Sequence, residues 1–231
     1  MESLPTFIGR REELQSISVA VRECGAQREP RYVLIEGPPG IGKTTLLNQA
    51  VAMMSESRRV IIYLDADDRG RAGFAARQLL RKPHRNRARQ DREGLQARVQ
   101  AAADSIEAPI VVAVEDFHWV DTMSADIFFD VIRDMEPVPM FNPVTMRSSD
   151  RADLRRFSRL ADTKAEAVHC VLAPFTAEEI RGILREATDL PVGMAVARRV
   201  QEATDGFPQF VAAVVAWLRA APRGRAATSS R

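Results

Sequence analysis

An α/β fold is expected for this 231-residue chain: a parallel sheet covered by helices on both faces, followed by a small helical lid. Three observations carry that expectation. Short β-branched apolar runs alternate with helix-like stretches, the pattern of a parallel sheet with helical crossovers. A glycine-rich loop at residues 37–45 sits between one such run and one such helix. From Pro174 onward the apolar period changes from strand-like to helical.

The elements follow in order along the chain. Leu14, Ile17 and Val21 have helical spacing after Arg10-Arg11-Glu12-Glu13. Strands are expected at Tyr32 to Ile35, Val60 to Leu64, Ile110 to Val114, Phe141 to Thr145 and Ala167 to Leu172. Helices are expected between them at Thr44 to Met54, Phe74 to Leu80, Leu95 to Ile106 and Ala125 to Met135. Pro143 removes a backbone donor and Asn142 is polar, both unusual in a central strand. Past Pro174, Thr176-Ala-Glu-Glu179 reads as a capping box opening a helix with Ile180, Ile183, Leu184 and Ala187 on one face. Two more helices fit Gly193 to Ala203 and Pro208 to Ala221. The domain expectation is a nucleotide-binding domain at 1–173, a helical lid at 174–221 and a frayed basic tail at 222–231.

Composition excludes several classes. Hydrophobic residues make up 45% and charged residues 28%, which is ordinary for a globular protein. The apolar stretch Phe210 to Leu218 is far shorter than the roughly 20 residues that span a bilayer. No membrane role and a cytoplasmic location are therefore expected, with Cys24 and Cys170 as reduced thiols. The net charge of +2 hides a block from Arg69 to Gln100 with ten Lys or Arg against Asp91 and Glu93. That block carries one aromatic and no recognisable binding motif, so direct nucleic-acid binding is not expected of it.

The chemistry concentrates at Gly37-Pro38-Pro39-Gly40-Ile41-Gly42-Lys43-Thr44-Thr45, a complete G-x-x-x-x-G-K-[ST] loop in its required strand-to-helix setting. Glycines free the backbone N–H groups to curl around phosphate oxygens, Lys43 reaches the β- and γ-phosphates, and the Thr44 hydroxyl ligates Mg²⁺. The apolar run Ile110 to Val114 ends abruptly in Glu115-Asp116. Ligands of parallel sheets bind beyond the carboxyl ends of strands, so both carboxylates are expected at the triphosphate. Glu115 is assigned to the Mg²⁺ side and Asp116 to orienting or deprotonating the attacking water. ATP is preferred to GTP because no N/T-K-x-D base-reading signature occurs; Thr163-Lys164-Ala165-Glu166 comes close but ends in Glu.

Phe7-Ile8-Gly9-Arg10 with Glu12-Glu13-Leu14, the loop at 37–45, Glu115-Asp116-Phe117-His118-Trp119-Val120-Asp121, Arg147 and Gly206-Phe207-Pro208 form an ordered set. Together they resemble the AAA+-related STAND ATPases, in particular the module at the N-terminus of large LuxR-type transcriptional regulators and of some bacterial cyclases and kinases. The resemblance implies that Phe7, Ile8, Gly9 and Arg10 line the adenine side and that Arg147 is a sensor arginine near the γ-phosphate. It implies too that Pro208 is a lid proline reporting which nucleotide is bound. It further implies a slowly hydrolysing signalling switch, with ATP and Mg²⁺ as cofactors. Relatives of this kind continue into a sensor region and an effector, so a protein partner or a missing effector domain is expected, and nucleotide-dependent self-association is left open. Two other readings stand beside it: a DNA-associated AAA+ ATPase, and a nucleotide-binding scaffold that does not turn over.

Overall fold

The computed structural model describes residues 9–27, 29–54, 61–64, 97, 110–120, 125, 126, 129, 130, 139–148, 167–188 and 191–220. The basic block, the expected helices at 74–80 and 95–106, most of that at 125–135, Thr163 to Glu166 and the tail lie outside them, Ala97 apart. Contacts divide the chain into two compact units. One comprises Arg11–Leu172, and the other joins Gly9 and Arg10 to the residues from Ala173 onward.

The first unit is built on five parallel strands, β1 (Arg31–Glu36), β2 (Ile61–Leu64), β3 (Ile110–Val114), β4 (Met140–Met146) and β5 (Ala167–Val171). Their order across the sheet is β2-β3-β4-β1-β5. Every residue of β1, β3 and β4 is buried, as their near-continuous apolar runs require when both sheet faces are covered. Helices α1 (Arg11–Gln27) and α2 (Lys43–Met53) flank the sheet, packing against β1 and β4. Ile17, Ala20 and Cys24 form the buried face of α1; Leu46, Leu47, Ala50 and Val51 form that of α2.

Polar residues at the edges of this core are tied down. The buried Arg31 guanidinium donates to Glu23 at 3.3 Å, Glu29 at 3.2 Å, the Pro30 carbonyl at 3.2 Å and Gln27, so a charge at the start of β1 is matched by the end of α1. At the other end of β1, His169 Nε2 lies 2.8 Å from Glu36 Oε2 across the β1–β5 pair. Cys24 and Cys170 are free, buried thiols, each pushed up to about 12 by burial, and so are poor nucleophiles.

Pro143 sits in the middle of β4 all the same. The register with β1 runs unbroken from Arg31↔Phe141 through Val33↔Pro143 to Glu36↔Met146, whereas that with β3 is made at Met140, Phe141 and Val144 only. The missing donor is therefore accommodated on the β3 side. Asn142 is fully buried, its amide 3.4 Å from the Met140 carbonyl.

The second unit has α3 (Ala177–Thr188), α4 (Met194–Thr204) and α5 (Pro208–Ala220). The capping box forms: the Thr176 N–H donates to Glu179 Oε2 at 2.8 Å and the Glu179 N–H to Thr176 Oγ1 at 3.2 Å. Phe175, Ile180, Ile183, Leu184, Ala197 and Val211 make its core. Phe175 organises the unit. Its N–H donates to the Gly206 carbonyl at 2.7 Å, its carbonyl accepts from Gln201 Nε2 at 3.3 Å, and the Arg10 guanidinium lies 4.9 Å from its ring centroid. Pro208 opens α5, where the absent N–H is no loss.

Two glycines of this unit should respond oppositely to alanine. Gly206 has φ +68, and a Cβ there would lie 2.4 Å from the Phe175 carbonyl oxygen, whereas a Cβ on Gly182 in α3 meets nothing within 4 Å. Gly206→Ala is expected to destabilise by at least about 1–2 kcal/mol from the left-handed backbone alone, with the clash adding to it. Gly182→Ala is expected to stabilise by roughly 0.5–1 kcal/mol. Urea unfolding followed by the helical signal checks both, and equal effects would contradict the packing described.

Candidate functional site

The strand order sets the carboxyl ends of β1, β4 and β3 side by side, the place where parallel sheets bind ligands. Each of those ends carries a polar segment. The chain leaving β1 turns at once, with the Gly37 N–H donating to the Met146 carbonyl of β4 at 3.3 Å. A Cβ on Gly37 would stand 2.7 Å from the Ile41 methyl, so the loop closes on itself only with glycine there. Gly40 and Gly42 hold φ 78 and 93, the left-handed values that let consecutive N–H groups face one concavity. At the start of α2 the Leu46 N–H donates to the Gly42 carbonyl at 3.0 Å. A helix start leaves its preceding N–H groups without intrahelical acceptors, and so available to an anion.

Lys43 occupies the centre of this loop, almost fully buried, with Nζ donating to the Pro38 carbonyl at 3.0 Å. Burial pushes its pKa down; Asp116 opposes that shift, Arg147 adds to it, and Glu115 opposes it. Three charged groups, two at the end of β3 and one at the end of β4, thus act on the ammonium in the loop. Thr44 closes the arrangement by donating its hydroxyl hydrogen bond to Glu115 Oε1. Pro38, Pro39, Ile41 and Thr45 complete the loop, Ile41 buried beneath it and Thr45 exposed.

Asp116 follows β3 in a left-handed conformation, φ 49 and ψ 49, at the start of a 3-10 turn over Phe117–Trp119. Its N–H donates to Thr145 Oγ1 at 2.8 Å, and Thr145 is fully buried. The turn is pinned by Phe117, also fully buried, whose ring meets Phe129 edge-on at 5.5 Å, and by Val120 N–H to Phe117 O at 2.9 Å. The His118 side chain is buried, its Nδ1 3.9 Å from Asp116 Oδ1. Thr145 is a site residue that sequence reasoning passed over. A lone threonine near the carboxyl end of a strand was the available signal, but only the β3–β4 pairing shows that its hydroxyl meets the acidic turn.

The residues expected at the site are thus placed in two groups. The loop from Gly37 to Thr45 with Glu115, Asp116 and Arg147 comes together in the sheet unit. Gly9, Arg10 and Pro208 belong to the helical unit, Gly9 and Arg10 against Phe175 and Pro208 as the first residue of α5. Phe7, Ile8 and Asp121 lie outside the described residues.

The donor set fits a Mg²⁺-triphosphate: a closed glycine cradle, a buried ammonium, and a hydroxyl paired with a carboxylate. Among the described residues no group of three or more His, Cys, Asp or Glu side chains could hold a metal ion. A Mg²⁺ beside Thr44 and Glu115 would therefore take its remaining ligands from phosphate and water, as this ion commonly does. Among the same residues no helix is long and apolar enough to cross a membrane.

Comparison with known proteins gives a family and a fold. A family model described as AAA ATPase domain matches residues 6–142. Among solved structures, the Thermotoga maritima RuvB Holliday junction branch migration motor is 19% identical, with a TM-score of 0.58 over 95% of this chain and 64% of that one. The Aeropyrum pernix ORC2 protein, in ADPNP and ADP complexes, is 14% identical, with a TM-score of 0.63 over 92% of this chain and 63% of that one. The replication initiator DnaA, bound to AMPPCP and single-stranded DNA, is 17% identical, with a TM-score of 0.61 over 93% and 63%. At these identities the likeness is one of fold, and the chain spans less than two thirds of each structure's length. No curated protein matches.

The lowered pKa of Lys43 has a stability consequence. A base whose folded pKa falls below its unfolded value holds fewer protons when folded, so stability rises with pH between the lowered value and the ordinary 10.5. Below that window the full desolvation cost of the ammonium is present. Lys43→Met is expected to raise the thermal midpoint of the nucleotide-free protein at pH 7 and to flatten the alkaline rise in stability. Scanning calorimetry across pH checks this, and a lower midpoint with the alkaline rise unchanged would contradict it.

Proposed function

This chain belongs to the AAA ATPase domain family, and on that premise we propose that it binds Mg-ATP at the 37–45 loop and hydrolyses it slowly. The reading makes it a signalling switch of the STAND, LuxR-regulator type, located in the cytoplasm. The observation that supports it best is the hydrogen bond from Thr44, in the loop after β1, to Glu115 at the end of β3, with Asp116 near enough to act on the Lys43 charge.

The roles follow from that arrangement. Lys43, already desolvated, gains a strong partner when a phosphate oxygen enters, which offsets the burial of its charge. Thr44 and Glu115 hold the metal side; the ion, when bound, supplies charge neutralisation at the β- and γ-oxygens. Glu115, now hydrogen-bonded by Thr44, would hold the ion through water. Asp116 orients the attacking water and accepts its proton, with the Asp116 backbone anchored by Thr145. Arg147, beside Lys43 in the electrostatics of the site, senses the γ-phosphate. In this reading the three-helix unit is the lid and Pro208 its reporter of the bound nucleotide, so the output is conformational. A protein partner or effector domain receives that output.

The DNA-associated alternative is favoured by one set of observations, the fold likeness to RuvB and to DnaA bound to single-stranded DNA. Salt-dependent binding to duplex or single-stranded DNA would support it over the switch.

The two carboxylates should differ in kind. Asp116→Asn is expected to slow single-turnover ATP hydrolysis by about 100-fold or more while ATP stays bound, whereas Glu115→Gln should also weaken Mg²⁺-dependent binding. Rapid-quench hydrolysis beside nucleotide titration of both variants decides it. Identical behaviour of the two would overturn the assignment, and a wild type that binds without turnover would make the chain a scaffold.

A further inference from the structure

We propose that His118 is a positioning residue for Asp116, its Nδ1–H taking one carboxylate oxygen so that the other is aimed at water. The proposal rests on the reading of Asp116 as the water-orienting group.

The backbone of Asp116 is immobilised on every side: β3 precedes it, its N–H is bonded to the buried Thr145 hydroxyl at 2.8 Å, and Phe117 behind it is fully buried against Phe129. Its φ of 49 and ψ of 49 are costly for a residue with a Cβ and are kept by those anchors. What stays free is the side-chain torsion, since the Asp116 side chain is 43% exposed while that of His118 is 7% exposed. The imidazole is thus the fixed partner and the carboxylate the moving one.

At 3.9 Å the two atoms are not hydrogen-bonded, and a closure of about 1 Å makes them so. Catalytic hydrogen bonds commonly tighten only in the substrate complex. A carboxylate with both oxygens unrestrained presents several orientations to a water; one held by an imidazole N–H presents one. No proton need leave the imidazole, and it touches neither nucleotide nor metal. The requirement is that the ring proton be on Nδ1.

The chain has three histidines, His84, His118 and His169, so imidazole ¹⁵N spectra of the full chain resolve the tautomer of His118. The expected result is a protonated Nδ1 whose shift moves in Asp116→Asn. A bare Nδ1 facing Asp116 would overturn the proposal. Single-turnover hydrolysis in His118→Leu should fall by about 10- to 100-fold with ATP affinity within about twofold of wild type. His118→Asn, whose amide nitrogen overlies Nδ1, should recover most of that loss. Hydrolysis unchanged in His118→Leu, an Asn variant no better than Leu, or a parallel loss of ATP affinity and thermal stability would each overturn it. Those failures leave the ATPase reading intact so long as the wild type turns over and Asp116→Asn does not. A wild type that never hydrolyses ATP removes both.

Discussion

Burial of the Lys43 ammonium is the constraint around which the site is arranged. An unpaired ammonium out of water is costly, and among the described residues this one has the Pro38 carbonyl as its hydrogen-bond acceptor. Two carboxylates at the end of β3 support its charge and Arg147 opposes it. A phosphate oxygen beside Lys43 would supply a further anionic partner and offset the burial of its charge. Stability is given up locally so that binding can recover it, a common trade at functional sites.

The sheet makes that possible through its order. Because β4 lies between β1 and β3, the loop after β1 and the acids after β3 share a neighbour, and both use it. Gly37 hydrogen-bonds to the Met146 carbonyl and Asp116 to the Thr145 hydroxyl, adjacent residues at the end of β4. That strand end is the common support of both halves of the site, so a shift of β4 would disturb phosphate loop and acidic turn together. The helical unit has an analogous hub in Phe175, which holds Gly206 through its backbone and Arg10 through its ring.

Much of this was legible in the sequence, and the limits have physical causes. The strands at Ile110 to Val114 and Ala167 onward, the start of α2 inside the phosphate loop, and the Thr176–Glu179 capping box all rest on local periodicity or on short motifs that carry their own mechanism. Pro143 and Asn142 looked unsuited to a central strand, yet β4 forms. Proline disturbs one flank of a parallel strand only, and no local rule says which neighbour that flank will face. Thr145 and the closeness of His118 to Asp116 were hidden for a related reason. Each is a relation across strands or around a turn, fixed by register and by a left-handed residue rather than by spacing in the chain.

The central claim is that three strand ends converge on one Mg-triphosphate. Calorimetric titration of the wild-type chain with ATP, with and without Mg²⁺, tests it most directly. The account predicts a single saturable site whose affinity falls when Mg²⁺ is withdrawn, because Thr44 and Glu115 then lose the ion between them and the phosphates. Binding of equal strength with and without Mg²⁺, or none at all, would contradict it.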